Sequence, residues 1–128
     1  MLAIREAGKQ LASQRLEGCD LYVTLEPCPM CAAAISFARI RRLYYGAGDA
    51  KGGGVDHGVR FYSSPTCHHT PDVYSGLAEA DSAAMLKAFF FRGSGINNVN
   101  FGPTFPQIAL PRAVFTIALV ESGRISNV

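Results

Sequence analysis

The segment at residues 25–31, "LEPCPMC", restricts the fold more than any other part of the chain because it joins two kinds of structure. Before it, residues 20–25 have the β-branched and aromatic character of a short buried strand. Pro27 ends that strand, and the small residues after Pro29 predict a helix that packs closely on a sheet. Two cysteines therefore fall where a strand ends and a helix begins.

Helical and strand patterns alternate along the first 92 residues. The pattern predicts a helix at 2–15, a strand at 42–46, a short apolar segment at 73–74 and a helix at 77–91. This alternation is typical of an α/β layer that contains a parallel sheet. We therefore predict the α/β fold class.

Composition indicates a soluble cytoplasmic protein. The chain has 128 residues, of which 48% are hydrophobic and 17% charged, as in a single globular domain, and no apolar run is long enough for a membrane span. The start has charges where a secretory signal would be apolar. A net charge of +2 does not by itself indicate nucleic-acid binding, and the sequence offers one local basic cluster, Arg39, Arg41 and Arg42.

The composition changes at Gly93. Ten of the 12 Lys and Arg residues and nine of the 10 acidic residues lie in the first 92 positions. The remaining segment has no defensible helical or strand period, and prolines interrupt it repeatedly. We predict one domain-like portion at 1–92 and an atypical tail at 93–128, to which no function is assigned.

Cys28 and Cys31 are the strongest candidates for chemistry. Residues three apart at a helix start lie on the same side, so both sulfurs can reach one ion. The N–H groups and dipole at a helix N-terminus favour thiolates. This suits a zinc ligand pair and a redox dithiol equally, and the spacing alone also leaves open a chance pair.

The flanks of the two cysteines resemble one family. "TLEPCPMCAAAI" resembles the P-C-x-x-C half of the zinc-dependent nucleoside deaminases. "GAGDAKGGGV", "CHHTPDVYSGL" and "SAAMLKAFFFR" are similar to the bacterial tRNA-specific adenosine deaminases, and the resemblance covers about residues 1–92. It implies a three-layer α/β/α sandwich of the cytidine deaminase type. It also implies zinc-dependent conversion of the wobble adenosine of a tRNA anticodon to inosine, by a homodimer.

The resemblance assigns roles residue by residue. Cys28 and Cys31 match two zinc ligands, and Asp49 and Lys51 match a loop that lies against the RNA. The end of the last helix matches a segment that approaches the anticodon stem-loop, through Phe90, Phe91 and Arg92. An aromatic run from Phe89 onward is also typical of a helix that contributes to a core. Glu26, beside the motif, is interpreted as a structural hydrogen-bonding residue.

The chain departs from the family in one respect. The family supplies its third zinc ligand and its proton shuttle from His-Ala-Glu, and no His-x-Glu occurs here. The resemblance places that motif upstream of Met1, so no catalytic residue is assigned and the family's first helix and first two strands are expected to be absent. We expect the chain to be inactive alone and the edge of the first strand to be exposed.

Three alternatives stay open at this point. The chain is a non-catalytic RNA-binding or dimerisation module of the deaminase family, or a CxxC redox protein, or His68 or His69 folds over the cysteines as a substitute ligand.

Overall fold

The structure is a computed structural model that describes residues 1–93, 118–121 and 124–127. Three α-helices and five strands occur in these residues. The helices are α1 (Leu2–Gln10), α2 (Pro29–Phe37) and α3 (Glu79–Gly93). The strands are β1 (Asp20–Leu25), β2 (Arg42–Ala47), β3 (Asp72–Tyr74), β4 (Ala118–Glu121) and β5 (Arg124–Asn127). None of the helices within these ranges combines the length and the apolar character needed to span a bilayer.

The strands form one sheet in the order β3-β2-β1-β4-β5. The first three strands are parallel, and Tyr22, Tyr44 and Tyr74 stand side by side across them. Their rings stack with centroids 4.5 and 4.8 Å apart, which supports this register. The predicted α/β class with a parallel sheet is confirmed.

Helices cover both faces of the sheet. On one face, buried side chains of β1 and β2 pack against α1 and α2, among them Leu21, Leu43, Tyr45, Ala3, Ala7, Ala32 and Ile35. On the other face, Leu86 of α3 packs against Leu25 and Ala47. A Cβ on Gly46 would lie 2.7 Å from the Cβ of Ser82, so α3 crosses β2 where the strand has no side chain. The result is a three-layer α/β/α arrangement.

The basic cluster of Arg39, Arg41 and Arg42 contacts other groups of the protein. Arg41 makes a two-pronged contact with the buried Asp20 at 2.8 and 2.9 Å, and Arg42 lies 3.7 Å from the same carboxylate. Arg39 donates to the backbone carbonyl of His68 at 3.0 Å. Asp20 and Arg42 begin β1 and β2, so this cluster stabilises the edge of the sheet opposite the cysteines.

Two expectations about the elements are wrong. Helix α1 ends at Gln10 instead of residue 15, because Ala12 turns the chain with a φ of +48°. The edge of β1 is not bare, because β4 pairs antiparallel with it at Asp20, Leu21 and Tyr22. The strands at 118–121 and 124–127 thus extend the sheet from within the atypical tail.

Candidate functional site

The candidate site lies at one edge of the sheet, where the parallel strands β1 and β2 both end. Cys28 follows β1 and is the N-cap residue of α2, with Pro29 in the first helical position, where its missing N–H costs nothing. Asp49 follows β2 at the same edge. The predicted position of Cys28 and Cys31 at a helix start is confirmed.

The two thiols differ in acidity. Backbone N–H groups at the start of α2, that of Cys31 first, lower the pKa of Cys28 against the opposing effect of burial. Burial, followed by the hydrogen bond with Cys28, raises the pKa of Cys31. One proton is therefore lost easily and the second with difficulty, which is the behaviour of a coupled pair.

Thiolates are suitable zinc ligands, but two of them are fewer than a catalytic zinc site needs. A catalytic zinc site uses three protein ligands and an open position. Within residues 1–93, 118–121 and 124–127, no three His, Cys, Asp or Glu side chains come together as a metal site. Neither His68 nor His69 therefore joins the two cysteines here, and the Nε2 of His69 lies 2.7 Å from the carbonyl oxygen of Ile40. These residues alone do not complete a catalytic zinc site.

Glu26 organises the loop beside the cysteines. Its side chain is fully buried, and its two oxygens accept hydrogen bonds from the loop that follows β2. The donors are the backbone N–H groups of Asp49 (2.9 Å), Val55 (3.1 Å), Asp56 (2.9 Å) and His57 (2.9 Å), with the His57 Nδ1 at 2.6 Å. The structural role predicted for Glu26 is confirmed.

The same contacts keep Glu26 ionised. Burial alone would raise its pKa, but the hydrogen bonds from Asp49, His57 and Val55 outweigh it and lower the pKa to about 2. A negative charge is thus fixed under the loop.

Glycines let this loop lie directly on the start of α2. The Gly54 N–H donates to the carbonyl of Pro27 at 2.9 Å, and a Cβ on Gly54 would lie 2.6 Å from the nitrogen of Pro29. A Cβ on Gly53 would lie 2.5 Å from the Glu26 carboxyl carbon. The close approach of the loop to the start of α2 requires Gly54, and its close approach to Glu26 requires Gly53.

Asp49 and Lys51 lie on that loop. The Asp49 Oδ1 accepts hydrogen bonds from the N–H of Lys51 at 3.0 Å and from that of Gly52 at 2.9 Å. Lys51 is exposed. The structure brings these two residues to the edge of the sheet that carries Cys28. Their contact with RNA stays a prediction.

The aromatic end of α3 lies on the other face of the sheet from α2. Phe89 is 42% exposed and Phe90 64% exposed, so the core interpretation is wrong for these two rings. The rings contact each other edge to face, with centroids 5.5 Å apart. The side chains of Phe91 and Arg92 lie outside those described.

Sequence reasoning missed two residues of the loop. His57 contacts Glu26, and Asp56 accepts a hydrogen bond from the hydroxyl of Tyr45. Burial, followed by Asp56, raises the pKa of Tyr45. The family resemblance indicated the loop, but no periodic signal connects positions 26 and 57, whose contact spans 31 residues.

Comparison with known proteins assigns the family. A family model described as MafB19-like deaminase matches residues 1–92. The chain belongs to the MafB19-like deaminases. The resemblance to tRNA-specific adenosine deaminases is confirmed by relatives of this name. The relative from Agrobacterium fabrum is 72% identical over 87 residues, which are 68% of this chain and 57% of that protein. The relative from Rickettsia bellii is 49% identical over 90 residues, 70% of this chain and 62% of that protein.

Solved structures of deaminases share the fold. One comes from a study of A-to-I editing by tRNA:A34 deaminases at the wobble position of transfer RNA. It matches this chain with a TM-score of 0.65 and 71% identity, over 66% of this chain and 61% of that one. A second, a mutant protein in complex with 8-azaguanine, matches with a TM-score of 0.57 at 21% identity over 69% of this chain and 53% of that one, and shows the fold alone.

These matches extend over part of each relative. The chain spans 57% to 64% of the length of three curated relatives. The partial cytidine deaminase-like fold predicted from the sequence is confirmed.

Proposed function

We propose that residues 1–92 are the thiol-bearing and RNA-facing portion of a tRNA-specific adenosine deaminase. Such an enzyme replaces the exocyclic amine of the wobble adenosine with oxygen, giving inosine. The names of the relatives and the deaminase fold support this proposal. The tail at 93–128 is proposed as a separate segment that contributes strands to the sheet.

One observation carries the proposal: the first turn of α1 belongs to the same buried cluster as the helix that carries the thiols, through Ala3 and Ala32. Ala32 directly follows Cys31 in α2. The resemblance places His-Ala-Glu immediately before Met1. A histidine and a glutamate presented there would face Cys28 and Cys31. Together they would supply three ligands and a proton carrier.

Each residue of the site then has a defined task. Cys28 and Cys31 hold Zn²⁺, which when bound supplies a water that ionises near neutral pH. Glu26 holds the loop against α2, and Asp49 and Lys51 on that loop contact the RNA. The end of α3 contacts the anticodon stem-loop through Phe90, Phe91 and Arg92. The protein acts in the cytoplasm on a base flipped out of the anticodon loop.

We propose that the protein acts as a homodimer that buries the outer face of α2. Met30 and Phe37 are 65% and 74% exposed, and residues seven apart share a helix face. An apolar face on the helix that carries both thiols favours a second copy packed next to the site.

The test is inosine formation in a synthetic anticodon stem-loop. We expect none from the 128-residue chain. A chimera that carries His-Ala-Glu, together with the helix and hairpin that precede it in the family, joined ahead of Met1 should form inosine. Cys28→Ala and Cys31→Ala in the chimera should abolish it, whereas Cys67→Ala should not. Inosine formation by the 128-residue chain itself, free of host enzyme, would contradict the account. A folded chimera that binds RNA without deaminating it would favour a binding module.

A redox dithiol is the second candidate, because the unequal acidity of the two thiols also suits disulfide exchange. A folded, metal-free sample with a reversible disulfide between Cys28 and Cys31 would favour this function. Retention of zinc by the chimera in the presence of a reductant would exclude it.

A further inference from the structure

His57 is fixed at one ring nitrogen and presents the other to solvent. Its Nδ1 lies 2.6 Å from Oε2 of Glu26, and 46% of its side chain remains exposed. Among the described residues, the structure gives its Nε2 no hydrogen-bond partner. The ring is therefore held rigidly with a polar atom pointing outward.

Glu26 determines the tautomer of His57. The carboxylate accepts and cannot donate, so in neutral His57 the proton is on Nδ1 and the lone pair is on Nε2. Backbone N–H groups of Val55 and Asp56 hold the carboxylate in place. His57 thus offers the solvent a positioned hydrogen-bond acceptor.

The acceptor lies on the same loop surface as Asp49 and Lys51. A Cβ on Gly48 would lie 3.1 Å from the Cε1 of His57, so the ring stands over the backbone just before Asp49. Asp49 directs its Oδ1 at backbone N–H groups and Asp56 directs its Oδ2 at the hydroxyl of Tyr45, so one oxygen of each carboxylate has a partner within the protein. The side chains that reach outward from this loop include Lys51, His57 and Arg60.

We propose that Nε2 of His57 accepts a hydrogen bond from a ribose 2′-hydroxyl of the bound RNA. This inference rests on the proposed function, because it takes the loop to be the RNA-facing surface. A phosphate group of the backbone offers only acceptors, so it cannot hydrogen bond to the lone pair of a neutral imidazole. The 2′-hydroxyl, present on the sugar of every RNA residue, can donate to it. The contact makes His57 a residue that distinguishes RNA from DNA.

Two substitutions separate this contact from a structural role. His57→Asn places an amide N–H where Nδ1–H stands and so keeps the bond to Glu26, but it lacks Nε2. His57→Gln reaches toward the Nε2 position and gives up the bond to Glu26. Affinity is measured at pH 8 for an anticodon stem-loop and for the same sequence in DNA. Thermal unfolding of each variant is recorded, and His68→Asn controls for loss of an exposed histidine.

We expect His57→Asn to unfold as the wild type does and to lose about 2- to 10-fold in affinity for RNA, with no change for DNA, since one neutral hydrogen bond is lost. His68→Asn should change neither. An unchanged RNA affinity in a folded His57→Asn protein overturns the inference and leaves the proposed function standing. Equal losses for RNA and DNA overturn the hydroxyl contact. A wild-type chain that binds neither nucleic acid overturns the proposed RNA surface and this inference with it.

Discussion

At the scale of single residues, one carboxylate determines the shape of the site. Glu26 sits at the end of β1, two positions before Cys28, and its oxygens gather backbone N–H groups from Asp49 to His57. A neutral side chain of the same size cannot replace it, because an amide has one oxygen and would direct its NH₂ group at donors. The loop therefore depends on a charge that is buried and fully hydrogen bonded.

This dependence predicts how stability responds to acid. The pKa of Glu26 is lowered to about 2 in the folded protein, so its stabilisation is present above the ordinary carboxyl range near 4.5 and is lost as the pH falls toward 2. The loss amounts to about 3 kcal/mol. In metal-free protein, Glu26→Gln should remove this pH dependence of the free energy of unfolding between pH 4.5 and 2. Glu17→Gln, at an exposed position, controls for the loss of one carboxylate. Parallel profiles for the wild type and Glu26→Gln would contradict the role of Glu26.

At the scale of elements, a hairpin from the tail continues the sheet. Strand β4 pairs with β1 on one side and with β5 on the other, so it has the position of an inner strand. The backbone N–H groups of an inner strand point alternately toward the two neighbouring strands and donate hydrogen bonds to both. β1 leads directly to Cys28, so the hairpin supports the strand on which the site is built.

A proline in β4 tests this support. Val120 pairs with Asp20 of β1 on one side and with Ile125 of β5 on the other. Val120→Pro removes one N–H from this ladder, and we expect it to lower the free energy of unfolding by roughly 1–3 kcal/mol. Amide hydrogen exchange at Asp20–Tyr22 should become faster. Val120→Thr keeps the N–H and the β-branched shape, and should leave exchange nearly unchanged. Equal exchange in the Pro and Thr proteins would show that β4 does not pair stably with β1.

The elements also show which parts of the fold the sequence could predict. Local signals located β1, α2 and α3, because residue type, periodicity and proline act over a few residues. They missed β4, since its strand character depends on the partner edge of β1 and not on its own period. The same reason explains the failure to find His57: its partner is distant in sequence. The end of α1 was placed at residue 15 because no local signal marks the turn at Ala12.

At the scale of the whole molecule, association should involve α2. Phe37→Glu places a charge in the proposed apolar contact, and we expect the dimer dissociation constant to rise on the order of 10-fold or more. Sedimentation at several concentrations measures it. Phe89→Glu adds the same charge to an exposed ring on α3, across the sheet, and should leave association unchanged. A wild-type chain that stays monomeric at all concentrations would contradict the dimer proposal.

The proposed activity requires above all that the thiol pair holds half of a zinc site. The direct measurement is zinc per chain, by elemental analysis after dialysis against a weak chelator, in the chimera that carries His-Ala-Glu ahead of Met1 and in its cysteine variants. We predict about one zinc per chain in the chimera and a loss of most of it in Cys28→Ala and in Cys31→Ala, because each removes one of three ligands. Cys67→Ala should retain the metal. A folded chimera without zinc, or full zinc in the Cys28→Ala chimera, would contradict the account.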